Sequence, residues 1–269
     1  RGGGAPVVRG RGAGGVVGAG VVAGVASGCT GQVGGDGGPD ATFPVFAEAQ
    51  RASGVGEFGE GSERAEGGDG VGGVTSAELA DPGWLDRVAE ATGIPRRALQ
   101  GYAGAALVLA EQQPECHLGW NTLAGIGWVE SHHGTIFGGS IQPDGRTSDL
   151  IIGVPLDGQG FQEIPDSDGG AVDGDTEWDR AVGPMQFVPT TWAAWATEAN
   201  GDGVPDIHNI DDSSLSAAEY LCYSGGDLGT EKGWRDAIAA YNESPAYLDE
   251  VLEYADRYAA EAEGASGPN

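Results

Sequence analysis

Residues 118–134 read LGWNTLAGIGWVESHHG, and the fold turns on this stretch. Trp120, Leu123, Ala124, Ile126, Trp128 and Val129 make it apolar on nearly every side, so it predicts a buried helix over 118–131 that Gly134 closes. One ionisable group breaks the pattern. Leu123, Ile126 and Glu130 fall at i, i+3 and i+7, which puts a carboxylate on the same stripe as two core residues. A carboxyl in such a place is poorly solvated, so its pKa rises and it keeps its proton at neutral pH. A protonated Glu in an apolar pocket suits cleavage of a glycosidic bond, whose leaving oxygen must receive a proton. The alternative is a Glu that only pairs with an Arg or caps a neighbouring helix.

Working outward, helical patterns fill both sides. Trp84, Leu85 and Val88 open a short amphipathic helix that Gly93 stops. Pro95 suits a first helical position, and the next helix runs over 96–113 to Pro114. Thr190 or Thr191 would cap a helix through Trp192, Trp195 and Ala199, and Ser213 or Ser214 another through Leu215, Ala218, Leu221 and Cys222. Helices over 234–241 and 245–260 complete the set. Between 134 and 180 the helical period vanishes and Gly and Asp dominate, with one alternating piece, Ile152-Gly153-Val154-Pro155-Leu156, that suits an edge strand. The expected fold is therefore mainly α, with a small strand-and-loop flap.

Composition bounds the rest. The chain has 269 residues, and its 51 glycines are concentrated before about position 75, where aromatic residues are scarce. Such a stretch buries too little apolar surface to offset its ordering entropy, so 30–75 reads as a flexible acidic linker. The core is expected over 76–262, with 263–269 as a disordered tail. Asp and Glu outnumber Lys and Arg by 41 to 13, for a net charge of −28, which argues against nucleic acid as a partner.

Arg1, Arg9 and Arg11 precede an uncharged run rich in Val, Ala and Gly that ends at Cys29. That is the shape of an export signal over 1–29, and Ala26-Ser27-Gly28-Cys29 resembles a bacterial lipobox with Cys29 as the lipidated residue; the alternative is a Gly-rich tail with a chance Cys. In an exported chain Cys116 and Cys222 would form a disulfide, contributing roughly 4–5 kcal/mol in the chain-entropy model; two buried thiols are the alternative.

Three segments, taken together and in order, resemble the membrane-bound lytic murein transglycosylase B family: IGWVESHHG (126–134), GPMQFVPTTW (183–192) and AAYNESPAY (239–247). The resemblance covers most of 84–258, and the flap's composition looks closer to the family's actinobacterial-type members. It implies a lysozyme-like fold with a sugar-binding groove, action on peptidoglycan outside the cytoplasm, and no cofactor for catalysis. Glu130 matches the family's acid/base. Ser131, Gln186, Phe187, Tyr220, Tyr241, Asn242 and Tyr247 match its substrate-contacting positions, although Phe187 and Tyr220 also suit plain core. A basic pair that some members carry after the catalytic helix has no counterpart here, and an acidic 140–178 insertion stands in its place, which puts peptide-stem recognition in question.

The segment 196–212, ATEANGDGVPDIHNIDD, resembles an EF-hand calcium loop. Glu198, Asn200, Asp202, the Val204 carbonyl, Asp206 and Asn209 would occupy positions 1, 3, 5, 7, 9 and 12, with Gly203 at the turn. Asn209 cannot give a bidentate carboxylate, so Asp211 or Asp212 would substitute; a plain acidic turn is the alternative. His117, His132, His133 and His208 show no zinc spacing and read as groove-side or surface residues. The competing functions are a hydrolytic muramidase that uses a flap Asp as second carboxylate, and a non-catalytic wall-binding module.

Overall fold

The computed structural model describes residues 46–59, 73–160 and 162–265. The expected export stretch, with Cys29, lies outside these residues. The first helix, α1 (Pro82–Thr92), starts where Asp81 accepts the Trp84 N–H at 2.7 Å and stops at Gly93, which takes a left-handed φ of 71°. In α2 (Arg96–Gln112) Pro95 is the cap and not the first helical residue. The helix ends before Pro114, which cannot continue it.

The next helix, α3 (Trp120–Ser131), carries Glu130 and is buried over almost its whole length. Two glycines explain how it can be. A Cβ on Gly125 would lie 2.8 Å from the Val251 carbonyl oxygen, and one on Gly127 would lie 2.0 Å from the Tyr102 hydroxyl. Gly125 thus admits the backbone of the last helix, α7 (Pro245–Ala265), and Gly127 admits a side chain of α2.

Around this axis stand α4 (Pro189–Trp195), α5 (Ile210–Gly225) and α6 (Glu231–Tyr241). α5 packs chiefly on α2 and α6, and α3 on α7. Two helix starts differ from expectation. α4 begins at Pro189 behind Val188, without a Thr side-chain cap, and ends at Trp195, where the 196–209 loop departs. α5 begins before Ser213 because Asn209 caps it, accepting the Asp211 N–H at 2.9 Å. The hydroxyls of Ser213 and Ser216 instead donate back to the Asn209 and Asp212 carbonyls, each at 2.7 Å.

The flap holds an antiparallel pair, β1 (Ile152–Pro155) and β2 (Arg180–Val182), with Ile152 opposite Val182 and Pro155 opposite Arg180. Its apolar centre is small: Leu156, Ala181 and Val188, flanked by Ile164. Its many aspartates serve as backbone acceptors. Asp166 Oδ1 takes the N–H groups of Asp168, Gly169 and Gly170, and Asp173 takes those of Asp175 and Arg180. Loops with little core satisfy their amides this way.

The result is a mainly α, lysozyme-like domain with a small strand-and-loop flap. Cys116 and Cys222 are disulfide-bonded, with Cα atoms 5.5 Å apart, tying the α2–α3 connection to α5. Packed structure also reaches into the stretch expected as linker. Ala52 donates to the Leu79 carbonyl at 2.7 Å, Asp81 to that of Gln50 at 2.8 Å, and Val55 and Phe58 pack on the core. Few apolar residues suffice there because they cover an existing core and need not build one. Among the described residues no helix is long and apolar enough to cross a membrane.

Candidate active site

Glu130 sits one residue from the end of α3 and is 1% exposed. Its Oε1 accepts the Tyr247 hydroxyl proton at 2.6 Å, and its Oε2 is buried without a partner. Burial pushes the carboxyl pKa well above the usual carboxylate range. The Tyr247 bond pulls the other way, and the charge of Glu250 on α7 adds a smaller upward push. Burial wins, so the group is a neutral acid.

The neighbouring elements are tied to it through hydroxyls. Ser131 donates to the Pro184 carbonyl at 2.6 Å and accepts the Gly134 N–H at 2.8 Å. Tyr241, fully buried at the end of α6, donates to the Met185 carbonyl at 2.8 Å. α3 and α6 therefore hold the two ends of Pro184-Met185. Gln186 follows with φ at 49°, a left-handed conformation, and donates its amide nitrogen to the Gly183 carbonyl at 2.9 Å. The turn needs Gly183, at φ 81°, where a Cβ would lie 2.0 Å from the Ile207 carbonyl oxygen.

The expected site residues thus divide. Glu130, Tyr241 and Tyr247 converge, and Gln186 lies on the turn that Tyr241 holds. Asn242 is buried, and its Oδ1 takes the Ser244 N–H at 2.9 Å. Phe187 is fully buried between Trp192 and Tyr241, with ring centroids 5.6 and 6.0 Å away. Tyr220 is 7% exposed and donates to the Ala240 carbonyl at 2.7 Å. The Ser131 hydroxyl is committed to backbone.

One histidine, expected on the groove side or the surface, is buried. His133 is 2% exposed, with Nδ1 at 3.2 Å from the Tyr102 hydroxyl and Nε2 at 2.9 Å from that of Tyr258. Burial pushes its pKa down to about 3, so a neutral ring bridges α2 and α7 just beyond Glu130. Sequence spacing gives no signal for this contact, because both partners are distant in the chain.

In the 198–212 loop Asn209 is spent on capping α5 and on the Asp144 carbonyl, and Asp211 pairs with Arg97. Asp212 is the acid that faces the loop. Fully buried, it accepts N–H groups from Ala199 and Asp206 at 2.8 and 2.9 Å, and burial pushes its pKa up to about 7. Asp206 faces Arg146 at 3.0 Å. Among the described residues, acidic ligand atoms converge in the flap, at Asp166, Asp168 and Asp179, and not in this loop.

Comparison with known families adds one finding. Residues 170–235 match the transglycosylase SLT domain. The matched stretch runs from the flap through the 183–187 turn, the acidic loop and Tyr220, and it stops short of the third segment. Glu130 lies before it. The match supports lytic transglycosylase action on peptidoglycan. No curated protein and no solved structure matches the chain.

Proposed function

We propose that the protein cleaves the β-1,4 bond between MurNAc and GlcNAc in peptidoglycan, with Glu130 as the single acid and base. The observation that carries this reading is a fully buried carboxyl with one oxygen held by Tyr247 and the other without a partner. Oε1 is already an acceptor, so the proton belongs on Oε2, where a substrate oxygen can take it. In the first step Glu130 gives that proton to the leaving oxygen as the MurNAc C1–O bond breaks, and the 2-acetamido oxygen of the same sugar bonds to C1. In the second step ionised Glu130 takes the proton of the MurNAc 6-hydroxyl, O6 bonds to C1 and the acetamido oxygen leaves. The product is a 1,6-anhydro end. Asn242 keeps its amide nitrogen to orient the acetamido group, since its oxygen is held by Ser244.

A single carboxyl is favoured over a muramidase pair because Asp166 and Asp173 of the flap are occupied with flap backbone. The test is mass analysis of products from purified sacculi. Anhydro ends, lighter than reducing ends by about one water, are expected from the native chain and at least about a hundredfold fewer from Glu130→Gln. Reducing ends would support the hydrolytic reading, and unchanged turnover in Glu130→Gln the non-catalytic one.

We also propose a structural calcium in the 198–212 loop. The oxygens of Glu198, Asn200, Asp202, Val204 and Asp206 suit a hard cation, and the buried Asp212 supplies the carboxylate that Asn209 cannot. Calcium should then raise the melting temperature of the native chain but not of Asp212→Asn, by an equal margin with and without substrate. No shift in either would reject the site. For localisation, the reading asks for export through 1–29 with lipid on Cys29; unchanged lipid labelling in Cys29→Ala would reject the anchor.

A further inference from the structure

The rings around the acid do not end at the site. Tyr241, beside Glu130, lies 6.0 Å from the ring of Tyr220, which lies 5.5 Å from that of Trp195, which in turn lies 4.9 Å from that of Tyr223. Burial falls along this run. Tyr241 is fully buried, Tyr220 is 7% exposed, Trp195 is half-buried and Tyr223 is 71% exposed. Tyr223 thus presents a large ring to solvent at the end of a packed aromatic row.

We propose that Trp195 and Tyr223 form an outlying shelf that holds a further sugar ring of the same glycan strand, away from the bond being cut. This rests on the glycan-cleaving reading of the Glu130 site. The occupant is a neutral hexosamine. Aromatic faces suit the C–H face of a pyranose, and the phenol can meet its hydroxyls. Glu219, held by the Thr197 hydroxyl at 2.8 Å beside the shelf, and the chain's net charge of −28 disfavour a ring that carries a carboxylate. The shelf is also fixed in advance. Trp195 ends α4, and the neighbouring Cys222 is pinned by the disulfide to Cys116. Little ordering is left to oppose binding.

The test is calorimetry on the full chain carrying Glu130→Gln, so that nothing is consumed, with β-1,4-linked N-acetylglucosamine oligomers of two and six rings. Adding Tyr223→Ala should weaken the six-ring oligomer by about fivefold to tenfold and leave the two-ring oligomer unchanged, while Tyr223→Trp should keep the native value. Equal loss at both lengths, no loss at either, or no binding of the six-ring oligomer at all would overturn the shelf. Sacculus digestion by the native chain reads the parent activity separately. Inert sacculi with a length-dependent loss in Tyr223→Ala would leave the shelf standing and remove the cleavage reading.

Discussion

Glu130 shows how one buried residue can be costly to the fold and still be the group on which the proposed chemistry rests. In the folded chain it holds its proton to a higher pH than in the unfolded chain. Stability is therefore lost as pH rises from the usual carboxylate range toward the folded-state value. Glu130→Gln removes that slope. The variant should melt higher than the native chain at neutral pH and equally at about pH 4, where both states of the native carboxyl are largely protonated. Thermal scans across that range check it. Its turnover should fall by about a hundredfold or more. Tyr247→Phe acts oppositely to a simple loss of contact. The hydroxyl stabilises the charged form, so its removal raises the Glu130 pKa further and moves the alkaline limb of kcat upward. A limb that stays in place would show that another group sets it.

At the scale of elements, α3 is placed by what it lacks. Gly127→Ala would push a methyl into the fully buried Tyr102 ring and hydroxyl, so α2 and α3 must separate. A loss of about 1–3 kcal/mol is expected in chemical denaturation, together with lowered kcat. Ser131→Ala should cost about 1–2 kcal/mol by orphaning the Gly134 N–H and the Pro184 carbonyl. These dependencies mark how far the sequence could be read. The stripe of Leu123, Ile126 and Glu130 is a period-3.6 signal within one helix, so the helix and the burial of Glu130 were legible. The flap was legible because the helical period stops. The starts of α4 and α5 were not. Ser213, Ser214 and Asn209 are all competent caps for α5, and Asn209 takes the place with its amide nitrogen donating to the distant Asp144 carbonyl. The partners of Glu130 and His133 were hidden for a related reason. Tyr247 is 117 residues from Glu130, and Tyr258 is 125 from His133, so no local pattern reports either contact. Resemblance marked Tyr247 as a sugar contact, and the structure adds a hydrogen bond from its hydroxyl to Glu130.

For the whole molecule, the domain is a helical shell that keeps one carboxyl dry, clasped by links between distant parts of the chain. The Cys116–Cys222 disulfide spans 106 residues, so its removal should cost about 2–5 kcal/mol, read as a lower melting temperature under reductant. The chain meanwhile carries a formal net charge of −28, which favours solubility and disfavours anionic partners. Everything proposed for the chemistry depends on the shell holding the acid neutral. The most direct measurement is a carbon-13 NMR titration of side-chain carboxyls in the intact protein, with the Glu130 signal assigned by its absence in Glu130→Gln. The account predicts a Glu130 resonance that stays in its protonated position through neutral pH. A resonance that titrates with the surface glutamates would contradict it.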